Sequence, residues 1–154
     1  MIERWYRQAV IYCLDVETFQ DSDGDGIGDL RGLASRLDYL ARLGVTTLWL
    51  NPIHPSPRRD GGYDVTDYYG VHPQIGSLGD FAELLHLADN RGLRILLDLV
   101  LNHTSDEHPW FRSARARRES PYPGCTAQAF SDVSDLRCGP WLILAMPCRR
   151  DDMR

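Results

Sequence analysis

Four aspartates fall within nine positions of this chain: Asp21, Asp23, Asp25 and Asp29, separated by serine, isoleucine and glycines. Carboxylates packed that closely repel one another. Either the turn is solvated, or the oxygens share a cation. Hard cations such as calcium take roughly six to eight oxygen ligands. Asp21, Asp23 and Asp25 alternate along a glycine-containing turn and can converge on one ion. Asp29 can return from the other side, and the Ile27 carbonyl can fill a gap. The opening resembles the D-x-D-x-D-G of an EF-hand loop, but Gly32 stands where that loop requires a bidentate glutamate, and an apolar strand candidate precedes it. The EF-hand is therefore rejected and the metal kept. Phosphate chemistry is not supported: Asp29 replaces the third glycine of G-x-G-x-x-G, and there is no Walker lysine. No organic cofactor is expected.

A second group lies in "RRDGGYDVTDYYG", residues 58–70, where Asp60, Asp64 and Asp67 alternate with Tyr63, Tyr68 and Tyr69. Carboxylates that accept from hydroxyls, beside aromatic faces that stack on rings, suit a sugar site. A polar surface loop with turn glycines explains the same residues, and the sequence chemistry leaves both readings open. A third group is "DLVLNHTS". Asp98 lies inside an apolar strand and needs a cation or hydrogen-bond donors. Asn102 and His103 follow at the strand end, where side chains of α/β enzymes do chemistry. Asn102-His103-Thr104 also reads as a glycosylation sequon, discounted because the N-terminus shows no secretion signal.

The elements that must position these groups alternate. Residues 9–14 read as a strand. Leu30, Leu33, Leu37, Leu40 and Leu43 then form one face of a helix ended by Gly44. Residues 45–50 read as a second strand stopped by Pro52. Ser77 and Asp80 have capping-box spacing ahead of a helix with Phe81, Leu84, Leu85 and Ala88 on one face. Residues 93–101 read as a third strand, apolar on both faces. Strand–helix alternation implies parallel strands, and all three candidate groups follow strand ends on the same side of the sheet. From Pro123 the pattern stops. "WLILAM" could form a strand, but nothing around it continues the alternation.

Composition fits a single soluble domain of 154 residues, 43% hydrophobic and 25% charged. A net charge of −5 argues against nucleic acid as partner, and Arg112, Arg115, Arg117 and Arg118 read as a solvated helix face. No apolar run approaches the roughly 20 residues of a membrane span, so no membrane partner is expected and a cytoplasmic location is the default. Cys13, Cys125, Cys138 and Cys148 form no CxxC pair and read as free thiols.

Taken together, "QDSDGDGIGDLRGL", "LDYLARLGVTTLWLNPIHPSP", "RDGGYDVTDYYGVHPQIGSLGDF" and "DLVLNHTSDEHPWF" resemble the α-amylase family of glycoside hydrolases in the right order, over about residues 5–122. The similarity is greatest to its trehalose synthase and oligo-1,6-glucosidase-like members, with Glu107 where that pattern often has glutamine. The resemblance implies an α/β fold: an incomplete TIM (β/α)8 barrel of about the first three βα units, with an irregular C-terminal tail. It implies an α-glucoside or malto-oligosaccharide substrate and retaining double displacement, by hydrolysis or transglucosylation. Asp60 would bind hydroxyls of the glucose next to the scissile bond, Tyr63 would stack on that ring, and His103 would contact it. Asp98 would support the nucleophile's surroundings. The loop of Asp21, Asp23, Asp25, Ile27 and Asp29 would bind structural calcium, or magnesium in some relatives. Asn102 matches a ligand of a second calcium in several members.

Retaining chemistry needs a nucleophile and a general acid, two carboxyls roughly 5 to 5.5 Å apart. In the family both come from later strands, and no stretch here resembles those motifs. The expectation is residues 1–122 as the N-terminal portion of a catalytic barrel and residues 123–154 as an unrelated or frameshifted tail. The chain alone is expected to be inactive, with the third strand left as an apolar edge. The alternative is a non-catalytic metal- or sugar-binding α/β domain. A nucleotide-dependent oxidoreductase ranks last, for want of a dinucleotide loop.

Overall fold

The computed structural model describes residues 4–116 and the backbone of 143–145. Apart from 143–145, residues 117–154, with Arg117, Arg118, Cys125, Cys138, Cys148 and the expected boundary at 122, lie outside the described residues.

Strand β1 (Ile11–Leu14) leads into a short helix α1 (Val16–Phe19), whose N-cap Asp15 accepts the Glu17 N–H at 3.1 Å. The aspartate loop follows. The leucine-rich segment then forms two helices where the spacing predicts one: α2 (Leu30–Ser35) and α3 (Leu37–Arg42), broken at Arg36 with φ −103° and ψ 1°. The leucine face survives the break. Leu30, Leu33, Leu37 and Leu40 are fully buried, whereas Leu43 lies past the helix end and is 57% exposed. Each such leucine contributes about 1.5–3 kcal/mol by leaving water.

Strand β2 (Thr47–Leu50) pairs parallel with β1, and β3 (Arg94–Asp98) pairs parallel with β2. The parallel order predicted from alternation is present. The third strand stops at Asp98, earlier than the apolar run suggests; Val100 is buried in the following loop and Leu101 is exposed. Between β2 and β3 lies α4 (Leu78–Asp89). Its N-terminus carries the full capping box: the Asp80 N–H donates to the Ser77 hydroxyl, and Asp80 accepts the Ser77 N–H. Leu84 and Ala88 of α4 are buried, with Phe81 and Leu85 packed beside them, and the helix lies against α2. Helix α5 (Pro109–Ala116) follows the third loop, with Arg112 and Arg115 exposed on it.

One expectation is corrected. The far edge of β3 is not left open along its length: β4 (Ile143–Ala145) pairs with it antiparallel, matching Leu96, Leu97 and Asp98 to Ala145, Leu144 and Ile143. A bare row of backbone donors and acceptors is satisfied by any strand within reach, whatever its direction. The sheet order is β1-β2-β3-β4, and the fold is α/β with three parallel strands, an arrangement consistent with part of an α/β barrel.

Candidate functional site

The three loops that follow β1, β2 and β3 meet at one end of the sheet. The register explains how. Cys13, Trp49 and Leu96 lie side by side on one sheet face, and Asp98 stands two residues beyond Leu96 on that same face. The Trp49 indole N–H donates to Asp98 Oδ1 at 2.6 Å, and the Tyr63 hydroxyl donates to Oδ2 at 2.8 Å. The buried carboxylate therefore finds its donors within the protein, one on each oxygen. Burial, followed by the hydrogen bond to Asp98, raises the Tyr63 phenol well above its ordinary range, so it stays protonated and donating.

Tyr63 is held at its backbone as well. Its N–H donates to the Asp60 carbonyl at 2.9 Å, closing a turn, and the His103 Nε2–H lies 3.2 Å from its carbonyl. Tyr63, Asp98 and His103 are thus brought together. Asp60 is exposed at the tip of the same turn, and Asn102 is exposed just past β3. Asp64 organises the turn from below: it accepts from the Ser56 hydroxyl at 2.5 Å and from the Arg59 N–H at 3.1 Å. The third loop is fixed by Tyr68, whose hydroxyl lies 2.6 Å from the Val100 carbonyl and 3.0 Å from that of His103. Behind it His108 packs between Tyr68 and Trp110, and its Nδ1 accepts the Trp110 N–H at 3.1 Å, capping α5.

Cys13 is an exposed free thiol whose S–H faces Asn51 Oδ1 at 3.6 Å. Burial, then the charge of Asp98, raises its pKa, so the thiol form is favoured.

The aspartate loop is wound by its own backbone. Asp21 Oδ1 accepts from the N–H groups of Asp23 and Gly24, and Oδ2 accepts from Gly26. The Gly24 and Gly26 bonds, foremost, hold the Asp21 carboxyl below its ordinary value. Asp29 caps α2 through the Gly32 N–H and also accepts from Ser22. Burial pushes its pKa up, but these bonds outweigh it and the net shift is downward. Both groups stay charged. One carboxylate oxygen from each of Asp21, Asp23 and Asp29 lies within 4.8 Å of the others, a spacing that fits a hard cation. Asp25 stands outside that group, and its carboxylate accepts the Ile27 N–H at 2.8 Å. The loop also presses closely on α1. The Gly28 N–H donates to the Glu17 carbonyl at 2.6 Å, and a Cβ on Gly28 would lie 2.2 Å from the Val16 carbonyl.

Sequence reasoning missed Trp49 as a site residue. Strand alternation puts Trp49 on one sheet face, but only the β2–β3 register shows that Asp98 shares it. Among the described residues no helix is long and apolar enough to cross a membrane.

A family model described as the alpha amylase catalytic domain matches residues 13–127. The chain is 51% identical over 131 residues to a trehalose synthase/amylase of Mycolicibacterium smegmatis, covering 85% of this chain and 22% of that protein. It is 46% identical over 118 residues to an oligo-1,6-glucosidase of Parageobacillus thermoglucosidasius, covering 77% and 21%. Among solved structures, a trehalose-6-phosphate hydrolase of Bacillus licheniformis superposes with a TM-score of 0.75 at 44% identity, covering 77% of this chain and 21% of that one. The chain thus spans about a fifth of the length of the relatives it matches.

Proposed function

Because the chain belongs to the alpha-amylase catalytic-domain family, we propose that it supplies the first sugar-facing loops of an α-glucoside-active site. In this reading Tyr63 stacks on a glucose ring, Asp60 accepts from its hydroxyls, and His103 contacts the same sugar. The observation that carries it is the joint anchoring of Tyr63, by Asp98 at its hydroxyl and by Asp60 and His103 at its backbone. An aromatic ring held at both ends is a preorganised stacking surface.

Asp98 is not the nucleophile in this reading. Both its oxygens accept from neutral donors, and it is buried. Its part is to orient Tyr63. Retaining hydrolysis or transglucosylation requires two further carboxyls flanking the scissile bond. The chain by itself therefore binds without turning over.

The first loop would hold calcium or magnesium through Asp21, Asp23 and Asp29, with the Ile27 carbonyl as a backbone ligand. The ion would stiffen the loop and take no part in bond cleavage. Asn102 would serve a second ion only with ligands from elsewhere.

Titration of the purified chain with maltose and p-nitrophenyl α-glucoside tests the reading. Binding without hydrolysis is the expected result, with about tenfold weaker binding in Asp60→Ala. Turnover abolished by changing any of the chain's own acids would overturn it, as would the absence of glucoside binding. The pairing of β4 with the edge of β3 favours a second reading, a non-catalytic sugar- or metal-binding domain that folds alone. A cooperative thermal transition of the isolated chain would support that reading.

A further inference from the structure

Arg58 places a long side chain on a backbone that does not suit one. Its φ is 59°, in the left-handed region that favours glycine and asparagine. Such a residue persists where its surroundings over-determine it. Here they do. The Arg58 N–H donates to the Ser56 hydroxyl at 2.8 Å, and that hydroxyl donates to Asp64. The guanidinium reaches across to α1, where Nη1 pairs with the Glu17 carboxylate. Its Nε lies 3.1 Å from His72 Nε2 on the other side.

Stability alone does not account for this pair. Burial pushes the Glu17 carboxyl up from its ordinary value, and the Arg58 charge offsets only part of that. An ion pair whose desolvation outweighs its attraction is weak evidence for stabilisation, and a fixed geometry is the better-supported use. What it fixes is adjacent in sequence. Asp60 follows two residues later, and its carbonyl closes the turn that carries Tyr63. On the opposite side, the Glu17 carbonyl receives the Gly28 N–H from the end of the aspartate loop.

We propose that Arg58 is a positioning residue. Through Glu17 it ties the Asp60–Tyr63 turn to α1, so that the loop after β2 is held against the loop after β1. Arg59 reaches the other way, to Asp106 and Glu107, but its side chain is 61% exposed and such surface pairs contribute little. Arg58 is the firm side of the clasp. Its consequence for ligand binding rests on the reading of Asp60 and Tyr63 as sugar-contacting residues; the positioning does not.

The test is hydrogen exchange of the Tyr63 amide, followed by NMR in the full chain. Arg58→Asn suits the left-handed backbone while removing the guanidinium, and Glu17→Gln removes the partner without touching the strained residue. Each is expected to speed Tyr63 exchange about tenfold. The double variant should be no faster than either single one, Arg58→Lys should restore part of the protection, and the melting temperature of Arg58→Asn should be unchanged or higher. Unchanged Tyr63 exchange, additive effects, or faster exchange throughout the sheet with a lower melting temperature would each overturn the proposal. Maltose titration separates the two readings. Weaker binding in Arg58→Asn supports the clasp's role at the site. A wild-type chain that ignores maltose defeats the sugar-site reading, while the exchange data still decide the clasp.

Discussion

The Tyr63 hydroxyl donates to Asp98 Oδ2 at 2.8 Å across 35 positions of sequence. With the Trp49 indole on Oδ1, this places one buried carboxylate under two donors from a different strand and a different loop. Asp98→Ala strands both donors. It should lower stability by about 2–4 kcal/mol in chemical denaturation, and Tyr63→Phe by about 1–2 kcal/mol. A loss for Asp98→Ala no larger than that of a surface substitution would show that the donors find other acceptors. In alkaline titration, the difference between wild type and Tyr63→Phe should show a phenol that ionises above the ordinary tyrosine range.

Acid should weaken the fold before its carboxylates titrate. Burial lowers the pKa of His108, with Asp67 pulling partly the other way, and burial and then Arg58 lower that of His72. A histidine with a depressed folded pKa contributes fully above its unfolded value of about 6.5 and progressively less below it. The denaturant midpoint should fall between about pH 6.5 and 5. His108→Asn keeps a residue able to cap α5 and should flatten part of that slope, while a slope unchanged in both His108→Asn and His72→Gln would contradict the assignment.

Asp80 acts in a lower window. The Ser77 hydroxyl and then Arg31 hold its pKa down to about 2. The stabilisation it brings is present above the unfolded carboxylate value and fades as pH falls from about 4 toward 2. Ser77→Ala should cost about 1 kcal/mol near neutrality through loss of the cap. Urea melts of this variant at neutral pH and at low pH check both statements, since the difference from wild type should shrink in acid.

Calcium or magnesium should raise the melting temperature. An ion at a hundred times its dissociation constant adds about 2.7 kcal/mol if it binds only the folded chain. Asp21→Asn and Asp23→Asn should abolish the shift, whereas Asp25→Ala should weaken it less, because Asp25 stands outside the converging group. No shift with either ion would leave a solvated turn.

Short-range chemistry was legible without coordinates. Short apolar runs marked the strands and leucines spaced three and four apart marked the helices, and their alternation implied the parallel order of β1, β2 and β3. The Ser77–Asp80 capping box depends on residues three positions apart; that Asp23 rather than Asp25 joins Asp21 and Asp29 depends on the path of the loop and was not legible. The break at Arg36 was not legible, since the leucine spacing runs through it unchanged.

By itself, then, the sequence determined the order of elements, the strand ends at which loops gather, and the local turns and caps, because these depend on spacing and on neighbours within a turn or two. Tertiary structure alone decided which side chains meet. Trp49 reaches Asp98 across 49 positions, and Arg58 reaches Glu17 across the first two loops. The antiparallel docking of β4 on β3 belongs with them. Each depends on strand register and loop path, and these follow from how the whole core packs rather than from any one segment.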